Sequence, residues 1–235
     1  MAAFLSTAEL SGPGPLAALS DERMSGHSLH RWHVMHVCDE VRQGLVTVEC
    51  QIAAGMRPLL ITPRGMFGMG ESASADPEIH AAKKLSVWSA WRDARRWGRV
   101  IRAEMPADIE ILHAYSMAAA LASLRNFNVV VYDAGTLFAE DGCGLNAFSL
   151  HVLRRAEAFV LSHAAAVVVH SLGMRHAVVE RGTHAEDVFL ISPATATQES
   201  IGGKAYDAVY RHAVKRRSTD PRPPMPKLQP ISAPL

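Results

Sequence analysis

The chain has 235 residues, 49 % of them apolar and 20 % charged, which is enough apolar side chain for one sizeable core. Its 24 basic and 23 acidic residues leave a formal net charge of +1, a balance that argues against a nucleic-acid partner. No apolar run approaches the length of a bilayer-crossing helix and no signal peptide opens the chain, so a soluble, cytoplasmic protein is expected.

Cys38, Cys50 and Cys143 are odd in number and far apart, with no CxxC spacing. They read as reduced thiols of an intracellular protein. The series His27, His30, His33, His36 suggests a metal, but His33 and His36 fall on opposite faces of the strand predicted there, so they do not converge on one ion. No metal site is expected.

Residues 1–31 mix Ala, Ser, Gly and Pro without sustained period and read as a mobile leader. A strand is predicted at 32–38, then a turn holding Gly44. A helix over 45–54 follows, with Leu45, Val48 and Ile52 at helical spacing and Gly55 as its stop. The strand at 57–62 completes a βαβ unit, which winds right-handed with parallel strands. Residues 64–77 are rich in Gly, Ser and Met and read as loop. Gly65, Gly68 and Gly70 do not make a GxGxxG fingerprint, and the first strand-to-helix turn holds Gly44 alone. A nicotinamide-dinucleotide site is therefore disfavoured.

The helix predicted over 78–102 can turn Val87, Trp91, Ala94 and Ile101 toward a sheet. Cations crowd its remaining surface, with Trp88 and Trp97 interleaved. One reading is a solvated face whose long side chains cover the indole rings. The other is peripheral docking on an anionic membrane surface through Lys83, Lys84, Trp88, Arg92, Arg95, Arg96 and Arg99, or on an acidic glycolipid or phosphate-bearing acceptor.

Strands are predicted at 108–113, 128–132, 165–169 and 187–191, separated by helices over 114–124, 145–162 and a third ending near Arg181 at Gly182. Ala165, Ala166, Val167, Val168 and Val169 do not alternate with polar residues, the pattern of a strand covered on both faces. His170 and Ser171 fall at its carboxyl end, with Ser171 as helix cap. A terminal helix is predicted at 203–217. From residue 218 onward Pro221, Pro223, Pro224, Pro226, Pro230 and Pro234 forbid regular structure. The organisation is a leader (1–31), a domain (32–195), a terminal helix segment (196–217) and a Pro-rich tail (218–235). The strand–helix alternation selects a doubly wound α/β architecture, a mostly parallel sheet with helices on both faces. Ligands then bind at the carboxyl edge of the strands.

Residues 34–62 (VMHVCDEVRQGLVTVECQIAAGMRPLLIT), 108–116 (DIEILHAYS) and 153–193 resemble the N-terminal, acceptor-side half of family 4 glycosyltransferases of the GT-B architecture. In the last segment Glu157, Ser171 and the pair Arg181–Gly182 stand at motif positions. The chain departs from the pattern too. Ile191-Ser192-Pro193-Ala194 replaces Ile-Pro-Asn, Tyr115 stands where a second His is common, Asp133 where some members have His, and Gly44 where many have two glycines. The donor-binding C-terminal half is not expected within these 235 residues.

The resemblance implies transfer of a glycosyl unit from a nucleotide-sugar, a substrate rather than a resident cofactor, to an acceptor glycan or glycolipid. It makes His113 and Asp133 the catalytic candidates, orienting the acceptor hydroxyl and taking its proton. Gly44, Tyr115 and Ser171 become substrate-binding candidates. Plain structural roles compete: a core histidine for His113, a loop cap for Asp133, a tight turn for Gly44, a helix cap for Ser171. Two functions follow. One is a transferase domain completed by a separate donor-binding chain. The other is a non-catalytic acceptor- or membrane-binding module derived from such an enzyme, cytoplasmic or at the inner face of the membrane.

Overall fold

The computed structural model describes residues 31–39, 41–62, 65–67, 87–135, 137, 146–196 and 199–220. Strands are β1 His33–Val37, β2 Arg57–Thr62, β3 Gly65–Phe67, β4 Ile111–Ala114, β5 Val130–Asp133, β6 Ala166–Val169 and β7 Val188–Leu190. Helices are α1 Val41–Ala53, α2 Val87–Glu104, α3 Met117–Asn126, α4 Ala147–His163, α5 Leu172–Glu180, α6 Pro193–Ala196 and α7 Glu199–Thr219. The strands form one sheet in the order β3-β2-β1-β4-β5-β6-β7, parallel throughout except for the β2–β3 pair.

Both faces of the sheet are covered, which is why its strands are apolar without alternation. Met35, Val37, Leu112, Tyr132, Val167 and Val169 point to one side, where Trp97, Ala120, Leu153 and Val178 of α2 to α5 pack on them. Val34, Ile111, Val131, Ala166 and Val168 point to the other, beneath Tyr206, Val209, Tyr210 and Ala213 of α7. Alternate residues of each strand thus feed two cores.

The predicted stops act as expected: Gly55 and Gly182 take φ of +79° and +95°, the left-handed conformation that ends α1 and α5. Ser171 caps α5, its hydroxyl accepting from Met174 N at 3.2 Å. The motif residues Glu157 and Arg181 form an ion pair at 2.6 Å that ties α4 to the end of α5, with the carboxylate almost fully buried.

Several boundaries move. Helix α1 begins at Val41, so Gly44 lies in its first turn rather than in the preceding turn. Strand β4 starts at Ile111, not 108, because Asp108 and Glu110 are spent on His33. Their carboxylates accept from His33 Nδ1 at 2.7 Å and His33 N at 3.1 Å. Residues 65–67, read as loop, form a short antiparallel edge strand through Leu60↔Phe67, Ile61↔Met66 and Thr62↔Gly65. Backbone pairing alone defines so short an edge, and it leaves no side-chain period to read.

In α2 the indoles exchange roles: Trp97 is buried and Trp91 is exposed. Trp97 Nε1 donates to Asp39 Oδ1 at 2.9 Å, whereas Trp91 lies under the Arg125 guanidinium, 5.2 Å from the ring centre. The leader up to residue 30, the tail from 221, Lys83, Lys84 and Cys143 lie outside the described residues, as does the side chain of Trp88. Among the described residues no helix is long and apolar enough to cross a membrane.

The terminal helix is part of the sheet's covering. Trp32 Nε1 donates to Asp207 Oδ1 at 2.7 Å, and Arg216 Nη1 donates to Ala164 O at 2.9 Å and reaches Asp187 at 2.8 Å. Arg217 Nη2 adds a bond to His163 O. At Gly203 the helix comes so close to α1 that a Cβ would stand 2.4 Å from that of Ala54.

Candidate functional site

Winding reverses between β1 and β4: β2 lies on one side of β1, and the chain resumes on the other side at β4. At such a switch point the loops above the carboxyl ends diverge and leave a crevice. His36, His113 and Asp133 lie toward that edge.

His36 and His113 are register partners on β1 and β4, on the face covered by α1 and α7, with ring centres 5.1 Å apart. Both are wholly buried. Just past β4, Tyr115 stacks on His113 at 4.7 Å. A single chain of hydrogen bonds joins these groups to the helices. His36 Nε2 lies 2.8 Å from Gln51 Oε1, Gln51 Nε2 donates to Tyr210 Oη at 2.6 Å, and Tyr210 Oη lies 2.9 Å from His113 Nδ1.

Donor counting orders the protons. The Gln51 oxygen needs a donor, so His36 carries its proton on Nε2 and accepts from the Tyr115 hydroxyl, 2.9 Å away, at Nδ1. The Tyr210 oxygen takes the Gln51 proton and gives its own to His113 Nδ1. The His113 proton therefore sits on Nε2, a buried donor with no partner among the described residues. Both rings are neutral. Burial holds His36 down to about 4, and burial, followed by the neighbouring His36 and His170, holds His113 well below the usual histidine range.

One pleat nearer the edge the opposite charge state prevails. Asp133 ends β5 and His170 follows β6; His170 Nε2 donates to Asp133 Oδ1 at 2.8 Å and its Nδ1 to Ile191 O at 2.8 Å. Two acceptors require two N–H groups, so the ring is imidazolium. The bond to Asp133 raises His170 to about 9 against the desolvation that would lower it. Asp133 is buried and the His170 side chain keeps 30 % exposure, so the pair presents its cation to the crevice. Cys38 lies on the same edge, its thiol pushed up by burial and then by Asp133 and Asp39, and is no nucleophile at neutral pH.

Of the residues singled out in the sequence, the sheet thus brings His113, Tyr115 and Asp133 to one edge. Ser171 follows directly on His170 but its hydroxyl is occupied as the α5 cap. Gly44 stands in the first turn of α1. His33 and His36 point apart, the first to Asp108 and the second into the buried chain; His27 and His30 lie outside the described residues. Among the described residues no group of three or more His, Cys, Asp or Glu could hold a metal ion.

Gln51, Tyr206 and Tyr210 escaped sequence reasoning, which weighs His36 only as a metal ligand and places His170 at a strand's carboxyl end without a role. The signal for His36 was its place in an otherwise apolar strand, and for the tyrosines their i, i+4 spacing on one helix face.

The aligned solved structures are distant in sequence. A sucrose-phosphate synthase from Thermosynechococcus elongatus superposes with a TM-score of 0.52 at 13 % identity, covering 76 % of this chain and 97 % of that one. The fold is of the GT-B, Rossmann-like type. A UDP-N-acetylglucosamine 2-epimerase from Rickettsia bellii aligns with a TM-score of 0.43 at 15 % identity over 68 % of this chain. An S. aureus MnaA–UDP structure gives 0.44 at 13 % identity over 72 %. The chain spans 44 % and 46 % of those two proteins. No family model and no curated protein matches the chain.

Proposed function

We propose that this chain is the acceptor-side domain of a family 4-like glycosyltransferase, working with a donor-binding domain. The observation that carries the reading is the polar edge at the switch point, where the Asp133–His170 pair lies above a neutral His36–His113 layer. A cation at this edge suits the diphosphate of a nucleotide-sugar or a phosphorylated acceptor. Asp133, once His170 turns to such an anion, is the carboxylate placed to take a hydroxyl proton. His113 acts from below as a positioning residue, holding Tyr115 by stacking, since its ring reaches no solvent. Tyr115 and Ser171 border the edge, and Gly44 stands in the turn of α1 nearest to it in sequence.

The second reading, a non-catalytic acceptor- or membrane-binding module, is favoured by one observation: Tyr206 and Tyr210 fill the space beneath the histidines. Saturation-transfer NMR with a panel of nucleotide-sugars and acceptor oligosaccharides discriminates. Binding or slow hydrolysis of a nucleotide-sugar that Asp133→Asn and His170→Ala remove supports the transferase domain. Acceptor binding alone, unchanged by both substitutions, supports the module. Silence toward every probe removes the ground for either.

A further inference from the structure

A well-formed cavity among the described residues lies away from this edge. It lies on the opposite face of the sheet, in the angle between α2 and α3, with a volume of about 370 Å³. Ala94, Gly98 and Ala122 make its floor, and their small side chains let the helices approach closely. Arg95, Arg99 and Arg102 descend along one face of α2 at spacings of four and three, and Arg125 with Asn126 closes it from the last turn of α3. Among the described residues no carboxylate lines it.

We propose that Arg95, Arg99, Arg102, Arg125 and Asn126 form a binding pocket for a phosphate ester, separate from the carboxyl-edge crevice. Four guanidinium groups around one hollow repel each other, and a multivalent oxyanion is the ligand that relieves this with charge-assisted, bidentate bonds. Arg125 is lowered from its ordinary value by partial burial and then by the charge of Arg95.

Two of the side chains are already aimed. Arg125 is held over the Trp91 ring at 5.2 Å, and Arg102 Nη1 donates to Asn126 Oδ1 at 3.2 Å, which leaves the Asn126 amide nitrogen bonded to Ala122 O at 2.6 Å. The guanidinium of Arg102 is thus oriented by a neutral amide, with no acidic partner among the described residues. The volume fits a small phosphorylated molecule. The same chemistry occurs in a soluble phosphate ester and in a lipid headgroup, and the cations of α2 that point elsewhere, Arg92 and Arg96, take no part in the pocket.

Titration calorimetry of the full chain with pyrophosphate, and flotation with phosphatidylglycerol–phosphatidylcholine vesicles, test it. Arg95→Gln and Arg125→Gln are the variants; both side chains are exposed, and circular dichroism checks that the fold is kept. Saturable pyrophosphate binding that each variant weakens about tenfold or more supports the pocket with a soluble ligand. No pyrophosphate binding, but flotation lost in both variants, supports it with a headgroup as the source. Binding of either probe that both substitutions leave unchanged, or no binding of either, overturns it.

Discussion

Gly203→Ala is the substitution for which the structure gives the sharpest sign. In a free helix the change favours folding by about 1 kcal/mol, since glycine loses more backbone freedom than alanine. Here a Cβ would stand 2.4 Å from Ala54 Cβ, 3.1 Å from Cys50 O and 3.6 Å from Ala54 Cα. Carbon atoms pack best at about 3.5–4.0 Å, so α7 must retreat from α1 by roughly 1 Å. Neither obstacle can rotate away: one is a methyl fixed to its backbone and the other is backbone itself. Overpacking of this kind costs about 1–3 kcal/mol, which outweighs the helical gain. The retreat also carries Tyr206 and Tyr210 off the histidines.

The expected result is a melting temperature lower by a few degrees, since 1 kcal/mol moves a domain of this size by about 2–4 °C. Gly98→Ala is the internal control. It is also mid-helix, but its Cβ meets only Arg102 Nη1 at 3.6 Å and Asn126 Nδ2 at 3.7 Å, so it should raise the melting temperature. Thermal melts followed by circular dichroism, with histidine NMR resonances as a report on His113, compare the two. A Gly203→Ala protein that melts at or above the wild-type temperature refutes the close-approach reasoning.

Tyr210→Phe removes the acceptor of Gln51 and the donor to His113 Nδ1, leaving two buried polar atoms without their bonds. A loss of about 1–3 kcal/mol is expected from urea unfolding, and an unshifted midpoint would show that the chain of bonds is not formed. His170 should titrate near 9 by NMR, and Asp133→Asn should bring it down toward the ordinary 6.5. Because the folded value is raised, the stabilisation from this pair is complete below about 6.5 and fades as pH climbs through 9. A wild-type midpoint at 6.5 sinks the imidazolium assignment.

The crevice and its approach were half legible in the chain. Asp133 could be placed at a strand end because strand ends are marked by the switch from apolar runs to turn residues. Tyr115, by contrast, falls in the helix predicted over 114–124 and instead lies between the strand ending at Ala114 and the helix from Met117. What those residues touch was not legible. Asp133 meets His170 across 37 residues, and His113 meets Tyr210 across 97. Nothing in local spacing links such pairs. The cationic stretch of α2 shows the same limit. Its charge was plain, but its division into Arg95, Arg99 and Arg102 around a hollow and Arg92 and Arg96 outside it needs the position of α3.

Local rules, then, settled the layer architecture here. Continuous apolar runs demand cover on both faces, and Gly55, Gly182 and Ser171 each answer a backbone need confined to one turn. Packing of distant segments settled the rest: the neutral histidines, the charged His170, the tight passage at Gly203 and the inward turn of Trp97 instead of Trp91. Protonation and close contact depend on which atoms surround a group in space, and the strand order supplies those atoms from parts of the chain that its spacing keeps apart.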